Sequence, residues 1–454
     1  MHIKIDKSVI EYSLWNRSRT GGAESILYNS RTYLSGCNMM PLDARTLLRP
    51  ALAAAICLMG GSAAGADTCG GAPRLAVTTP QGFCAAIIGQ GFKFARGVQP
   101  MLDGSVLVVD LGGWQPNQGS VWLLKPGTAG FQKTLLMKNV DRPNGIVLGP
   151  DGLVYVGAIK RIFRFDPRDP EGTVKDVIGG NSGTPALPGI GRHPLTAMRF
   201  DAKGDLYVNV GSGSDHCEGK DGKAPDAGKP CLEATGANAL GVLRKYTMQW
   251  PAGTVKSWEV HATGLRNSMA LALHPTTHAM WQGENSRDAI QAAIKGLKND
   301  NDLPHDELNL IEPKGNYGWP YCYDNNVASP EYPDAKCAAY RAPVRLLPAH
   351  SAPLGMTFYT GETFPAKYKN SLIVGYHGYR EHGHRLVAFL PDAQGAPLGK
   401  MIELISDWTA KPNQSAGAPV DVKQGADGAI YLVEDRSGRV VRLQYAPGTP
   451  APGK

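Results

Sequence analysis

One short motif recurs six times along this 454-residue chain and restricts its fold more than any other feature: a turn carrying Asp, Gly or Asn, then residues of alternating polarity. The copies are LDGSVLVVD (102–110), PDGLVYVGA (150–158), DAKGDLYVNVG (201–211), HPTTHAMWQGEN (274–285), KNSLIVGYHG (369–378) and ADGAIYLVED (426–435). A period of two after a turn signal is the pattern of a β-strand. A second strand-like piece usually follows, as at 119–124, 161–165 and 438–443, so each copy opens a hairpin. Small sheets repeated around a ring protect their edges by closing it, commonly by pairing the two chain ends in one blade. The expected fold is therefore all-β, a six-bladed β-propeller of four-stranded antiparallel sheets, with residues near Phe92 and near Val440 as candidates for the closure. The 55 glycines and 34 prolines are spread along the whole chain, which suits many tight turns and disfavours a helical bundle.

Arg45 and Arg49 precede an apolar run over 51–59, and small residues follow up to Ala66, the pattern of an export signal. The run is shorter than the ~20 residues that cross a bilayer, so no stable membrane insertion is expected. We expect cleavage after Ala66, with 1–39 a spurious or disordered extension, Met40 the true start, 40–66 the signal peptide, 67–445 the propeller and 446–454 a disordered tail. Residues 1–66 carry seven Lys/Arg and four Asp/Glu, so the net charge falls from +7 to 40 − 36 = +4. Without a basic run beside stacking aromatics, nucleic-acid binding is not expected.

Six of the eight cysteines lie beyond Ala66, spaced as Cys69 with Cys84, Cys217 with Cys231 and Cys322 with Cys337. Export makes disulfides the leading reading, although six cysteines allow many connectivities and sequence does not choose among them. Two of these pairs fall in the widest gaps between motif copies, where long insertions would need a staple.

Four segments carry side chains without an evident structural task. Arg192-His193 stands just ahead of a blade strand, where an imidazole could face the opening of the ring, although a lone histidine is more often structural. Arg266-Asn267 offers a fixed cation beside an amide, or else a surface ion pair. The stretch 281–288 with 306–320 is dense in oxygen ligands that could hold calcium, or could form a solvated acidic loop. The histidines around His350 and over 377–384 could bind a metal, or line a ligand cavity.

In order, these segments resemble the soluble pyrroloquinoline quinone (PQQ) dependent glucose dehydrogenase and sorbosone dehydrogenase family over most of 92–445. The most specific pieces are GLRN (264–267), DELNLIEPKGNYGWP (306–320), HSAPLG (350–355) and the histidine ahead of the third blade strand. The resemblance implies oxidation of an aldose or related sugar by hydride transfer to PQQ, with His193 as general base. It implies cofactor contacts from Arg266 and Asn267, and a calcium ion held by the backbone oxygens of Ser286 and Arg287. A second calcium would use Glu307 and the backbone of Tyr317. Electrons would pass to a quinone or cytochrome, in the periplasm or outside the cell.

Two positions depart from the family pattern. Arg192 stands where an acidic residue is common, and Ala418 where a basic one is common. Arg192, His350, His377 and Arg380 are the remaining candidates for the cofactor's surroundings. Arg142-Pro143-Asn144-Gly145 resembles a turn of calcium-dependent lactone hydrolases, which supplies one alternative function. A non-catalytic binding propeller is the other.

Overall fold

The computed structural model describes residues 68–448 except 129, 220–222, 224–228 and 413. The expected extension, the signal peptide and the last six residues lie outside the described part.

Six four-stranded antiparallel sheets form the blades of the expected propeller. From the innermost strand outward, blade one is Ala95–Pro100, Val106–Asp110, Gly119–Gly127 and Gly130–Val140. Blade two is Ile146–Leu148, Val154–Gly157, Ile162–Phe165 and Lys175–Ile178, and blade three is Met198–Phe200, Leu206–Val210, Val242–Gln249 and Thr254–Thr263. Blade four is Ala270–Leu273, Met280–Glu284, Asp306–Ile311 and Arg345–Leu347. Blade five is Pro353–Phe358, Leu372–Tyr376, Arg385–Phe389 and Met401–Ile405. Blade six takes Pro419–Gln424, Ile430–Glu434 and Arg439–Tyr445 from the chain's end and its outermost strand, Phe83–Gln90, from its beginning.

Every motif copy supplies the second strand of a blade and the turn before it. The turns work through local chemistry: Asp103 and Asp427 each accept the backbone N–H two residues on, at 3.0 and 3.1 Å, while Gly104 and Gly428 take φ of 81° and 74°. In the fifth copy Asn370 takes the left-handed role, with φ 60°. Second strands are buried on both faces because each blade is covered by two neighbours, which is why they read VLVVD or IYLVE. Six apolar clusters result, one between each pair of adjacent blades.

The ring closes where expected. Arg439–Tyr445 pairs with Phe83–Gln90 in a register that sets Val440 opposite Gly89, and the Phe92 N–H donates to the Gly438 carbonyl at 3.2 Å. Disulfides join Cys69 to Cys84, Cys217 to Cys231 and Cys322 to Cys337, each with Cα atoms 5.9 Å apart. The first anchors the closing strand. The second lies in the insertion 212–241 inside blade three, and the third in the insertion 312–344 inside blade four.

Antiparallel strands alternate direction, so loops that precede each first strand and follow each second strand all emerge on one face. Arg192, His193, Arg266, Asn267, Ser286, Arg287, His350, His377 and Arg380 all sit in such loops.

Candidate functional site

His193 is half-buried ahead of blade three, and its Nδ1 lies 2.9 Å from Ser212 Oγ. The Ser212 hydroxyl donates its one proton to the Ser214 carbonyl at 2.6 Å. A carbonyl can only accept, so Ser212 Oγ must accept from His193 Nδ1–H. In the neutral ring this leaves the Nε2 lone pair free. Burial, then the positive charges of Arg266 and Arg192, hold the imidazole pKa well below its ordinary value, so the ring is neutral at pH 7.

Arg266 is buried and rigidly held. Its Nε donates to the Asp215 carbonyl at 3.1 Å, Nη1 to the Asn285 carbonyl at 3.0 Å, and Nη2 to the carboxylates of Asp215 and of Asp288, the latter at 3.2 Å. Arg192 faces the same Asp215 carboxylate at 3.6 Å. Burial works against the Asp215 charge, but Arg266 and the other donors around it outweigh burial and keep its pKa well below the carboxylate range. Asp215, in the loop after the second strand of blade three, thus brings a buried carboxylate to both arginines. Asn267 spends its backbone N–H on Glu284 at 2.6 Å, while its half-buried side-chain amide makes no hydrogen bond among the described residues.

Ser286, Arg287, Glu307 and Tyr317 line one small cavity together with Glu284, Arg266 and His216. Its volume, about 20 Å³, is enough for one water-sized sphere. Glu284 and Glu307 are direct cross-strand partners at the top of blade four. Both are buried, and neither forms an ion pair among the described residues. Burial pushes Glu284 up to about 7; burial and the Glu284 charge push Glu307 well above its ordinary value. Two neighbouring buried carboxylates without a paired cation suit a hard cation with oxygen ligands. The carbonyls of Ser286, Arg287 and Tyr317 accept no hydrogen bond among the described residues, so oxygen donors are available around the pair. The donor set fits calcium. In the sequence Glu284 is one acid of a dense stretch, and its pairing with Glu307 is a matter of register.

Three other predicted residues are engaged elsewhere. His377 Nε2 lies 3.0 Å from Asp435, whose other oxygen accepts from Arg96 at 2.6 Å. Arg380 donates to Asp300 at 2.6 and 3.3 Å. His350 Nε2 meets the carbonyls of Asp300 and Leu303 at 2.7 and 3.1 Å, so its ring braces the 285–305 insertion. Ala418 is fully buried and its carbonyl accepts the Asp435 N–H at 3.3 Å. Asn144 has both ends of its amide in use, accepting from Arg96 Nε and donating to the Thr196 carbonyl, each at 2.9 Å. That side chain is thus part of the Arg96–Asp435 network.

A family model described as glucose / sorbosone dehydrogenase matches residues 184–442. An uncharacterised protein of Borreliella burgdorferi is 28% identical over 197 residues, covering 42% of this chain and 50% of that protein. The aldose sugar dehydrogenase YliI of Escherichia coli is 23% identical over 264 residues, covering 54% of this chain and 58% of that protein. The chain thus spans about half the length of these curated relatives. Among solved structures, the holo form of the pyranose dehydrogenase PQQ domain from Coprinopsis cinerea superposes with a TM-score of 0.62 at 20% identity, over 83% of this chain and 99% of that one.

Proposed function

Because the chain belongs to the glucose/sorbosone dehydrogenase family, we propose that it oxidises an aldose or related sugar with PQQ as acceptor and His193 as general base. The observation that carries the reading is the state of His193: a neutral ring whose Nδ1–H is fixed by Ser212, leaving Nε2 free on the face where the predicted site loops converge. Such a nitrogen is poised to take the proton of a sugar hydroxyl. Burial and the adjacent guanidiniums disfavour the imidazolium, so the captured proton is readily passed on.

PQQ, when bound, supplies an ortho-quinone that takes up the hydride equivalent from the sugar carbon. This chain would hold it through the free Asn267 amide and the cations Arg266 and Arg192, with calcium beside it on the carbonyls of Ser286 and Arg287. Glu307 and the Tyr317 carbonyl line the same cavity, which has room for one ion, so they would complete the shell of that calcium rather than hold a second. Arg266 reaches this position already anchored to Asp215, so little side-chain entropy is left to lose on binding. Transfer of the electrons to a quinone or cytochrome, and a periplasmic or secreted location, belong to the same reading. Three disulfides support the location, since they persist in oxidising compartments. Among the described residues no helix is long and apolar enough to cross a membrane.

The test is titration of PQQ into calcium-loaded apoprotein, followed by dye reduction with an aldose, comparing wild type with His193→Ala. We expect saturable binding by both and a loss of about 10²-fold or more in kcat for the variant. Undiminished turnover by His193→Ala removes the base assignment. A folded, calcium-replete wild type that does not bind PQQ removes the quinoprotein reading and leaves a binding propeller.

A further inference from the structure

Two fully buried amides, Gln282 and Asn309, lie directly beneath the acid pair of blade four. On the facing strands Met280–Glu284 and Asp306–Ile311, Met280 stands opposite Ile311, Gln282 opposite Asn309 and Glu284 opposite Glu307. Alternate residues of a strand share a face, so these pairs form one ladder. Met280 and Ile311 belong to the apolar cluster that also holds Tyr207 and Leu243 of blade three. The ladder therefore rises from the core between blades three and four, through the two amides, to the acids. Both acids line the small cavity there and neither amide does.

Gln282 Nε2 donates to Glu284 Oε2 at 2.7 Å, and Gln282 Oε1 accepts from Asn309 Nδ2 at 3.0 Å. The same Asn309 Nδ2 also donates to Glu307 Oε2 at 3.2 Å. Turning either amide over would set oxygen against oxygen, so both orientations are forced. Each amide thus presents its N–H end to a carboxylate, and Asn309 Oδ1 is left buried without a hydrogen-bond partner. An orphaned oxygen of this kind costs stability. A second apolar pair like Met280 and Ile311 would fill the same place without that cost.

We infer that Gln282 and Asn309 are positioning residues for the metal, holding Glu284 and Glu307 in place for a calcium ion that neither amide touches. The inference rests on the calcium site proposed above. Neutral donors can orient carboxylates without bringing a cation that competes with the metal, which a lysine or arginine in their place would do. The hydrogen bonds also divide the acids by role. Glu284 accepts from the Asn267 N–H, the Ser268 hydroxyl and the Gln282 amide, which takes three of about four acceptor sites. Glu307 accepts only from Asn309, and its Oε1 accepts nothing among the described residues. Glu307 is therefore the acid with oxygens to give the ion, and Glu284 is held beside it chiefly as charge.

The test is calorimetric titration of calcium into the chelator-treated full chain, with the metal-free Tm measured alongside. The double variant Gln282→Met with Asn309→Leu keeps side-chain volume and removes both amides together, so no lone partner is left behind. Its calcium affinity is expected to fall by about 100-fold, while its metal-free Tm stays level or rises. If the double variant does not fold, Gln282→Met alone decides: it leaves Asn309 bonded to Glu307, and about a tenfold loss is expected. Wild-type binding that the variant matches overturns the inference and leaves the calcium reading standing. A wild type that binds no calcium removes both. A metal-free Tm lowered by more than about 4 °C assigns the amides to the fold instead, and overturns the inference as well.

Discussion

The loop-bearing face divides into two regions that handle buried charge in opposite ways. Around blades five, six and one, charges are compensated within the chain: Arg96 pairs with Asp435, Asp435 with His377, and Arg96 also meets Asn144. Burial would raise the Asp435 pKa, but His377 and Arg96 together hold it well below the carboxylate range. Around blades three and four Arg266 is paired with Asp215, but next to that pair Glu284 and Glu307 are buried side by side without an ion pair among the described residues, and Asn267 keeps an unused amide. A compensated network stabilises the fold and requires no ligand. An uncompensated one costs stability until something binds, so the second region is where the proposed metal and cofactor would bind.

The largest test of this contrast removes a partner from the compensated side. Arg96→Ala leaves Asp435 buried with only a histidine, and should cost about 3–5 kcal/mol in urea denaturation. A loss below about 1 kcal/mol would mean that this network is solvated rather than buried, and the contrast would fail there.

The second test uses pH on metal-free protein. Glu284 has a folded pKa of about 7 against 4.5. Its protonated form is therefore favoured by folding, and stability falls as pH rises from about 4.5 to about 7, by on the order of 3 kcal/mol. Asp435 has the opposite sign: its contribution is present above the unfolded carboxylate range and is lost only as pH falls below it. Between pH 5 and 8 the metal-free Tm should thus rise on acidification, and saturating calcium should flatten the slope. Glu307→Gln should remove much of the metal-free slope and the calcium response together. Equal slopes with and without calcium would separate the acid pair from metal binding.

The smallest effect is expected at Ser212, a positioning residue. Ser212→Ala should cost about 1 kcal/mol of stability and free the choice of His193 tautomer. We expect kcat to fall about tenfold with KM little changed. A change in KM alone would assign Ser212 to substrate binding instead.

What could be read from the chain follows from the range of each interaction. The blades were legible because strand alternation and the Asp-Gly turn act within about ten residues, and six copies repeat the same local instruction. The cysteines read as three local pairs 14 or 15 residues apart, but only the fold selected that connectivity among those that six cysteines allow. The loops bearing His193, Arg266 and Ser286 could be placed from the strands that flank them.

The roles of individual charges could not be placed in that way. Arg96 and Asp435 are 339 residues apart and meet only because the ring closes. Glu284 becomes half of an acid pair through the register of two strands separated by the 285–305 insertion. Arg380 and His350, which the sequence offered to a cofactor, are taken by Asp300 from that same insertion. The sequence by itself determined the fold and the face that carries the loops, since hydrophobic periodicity is a local signal. Which charges are satisfied and which await a ligand was decided by the tertiary structure, because compensation depends on distances that only closure of the ring sets.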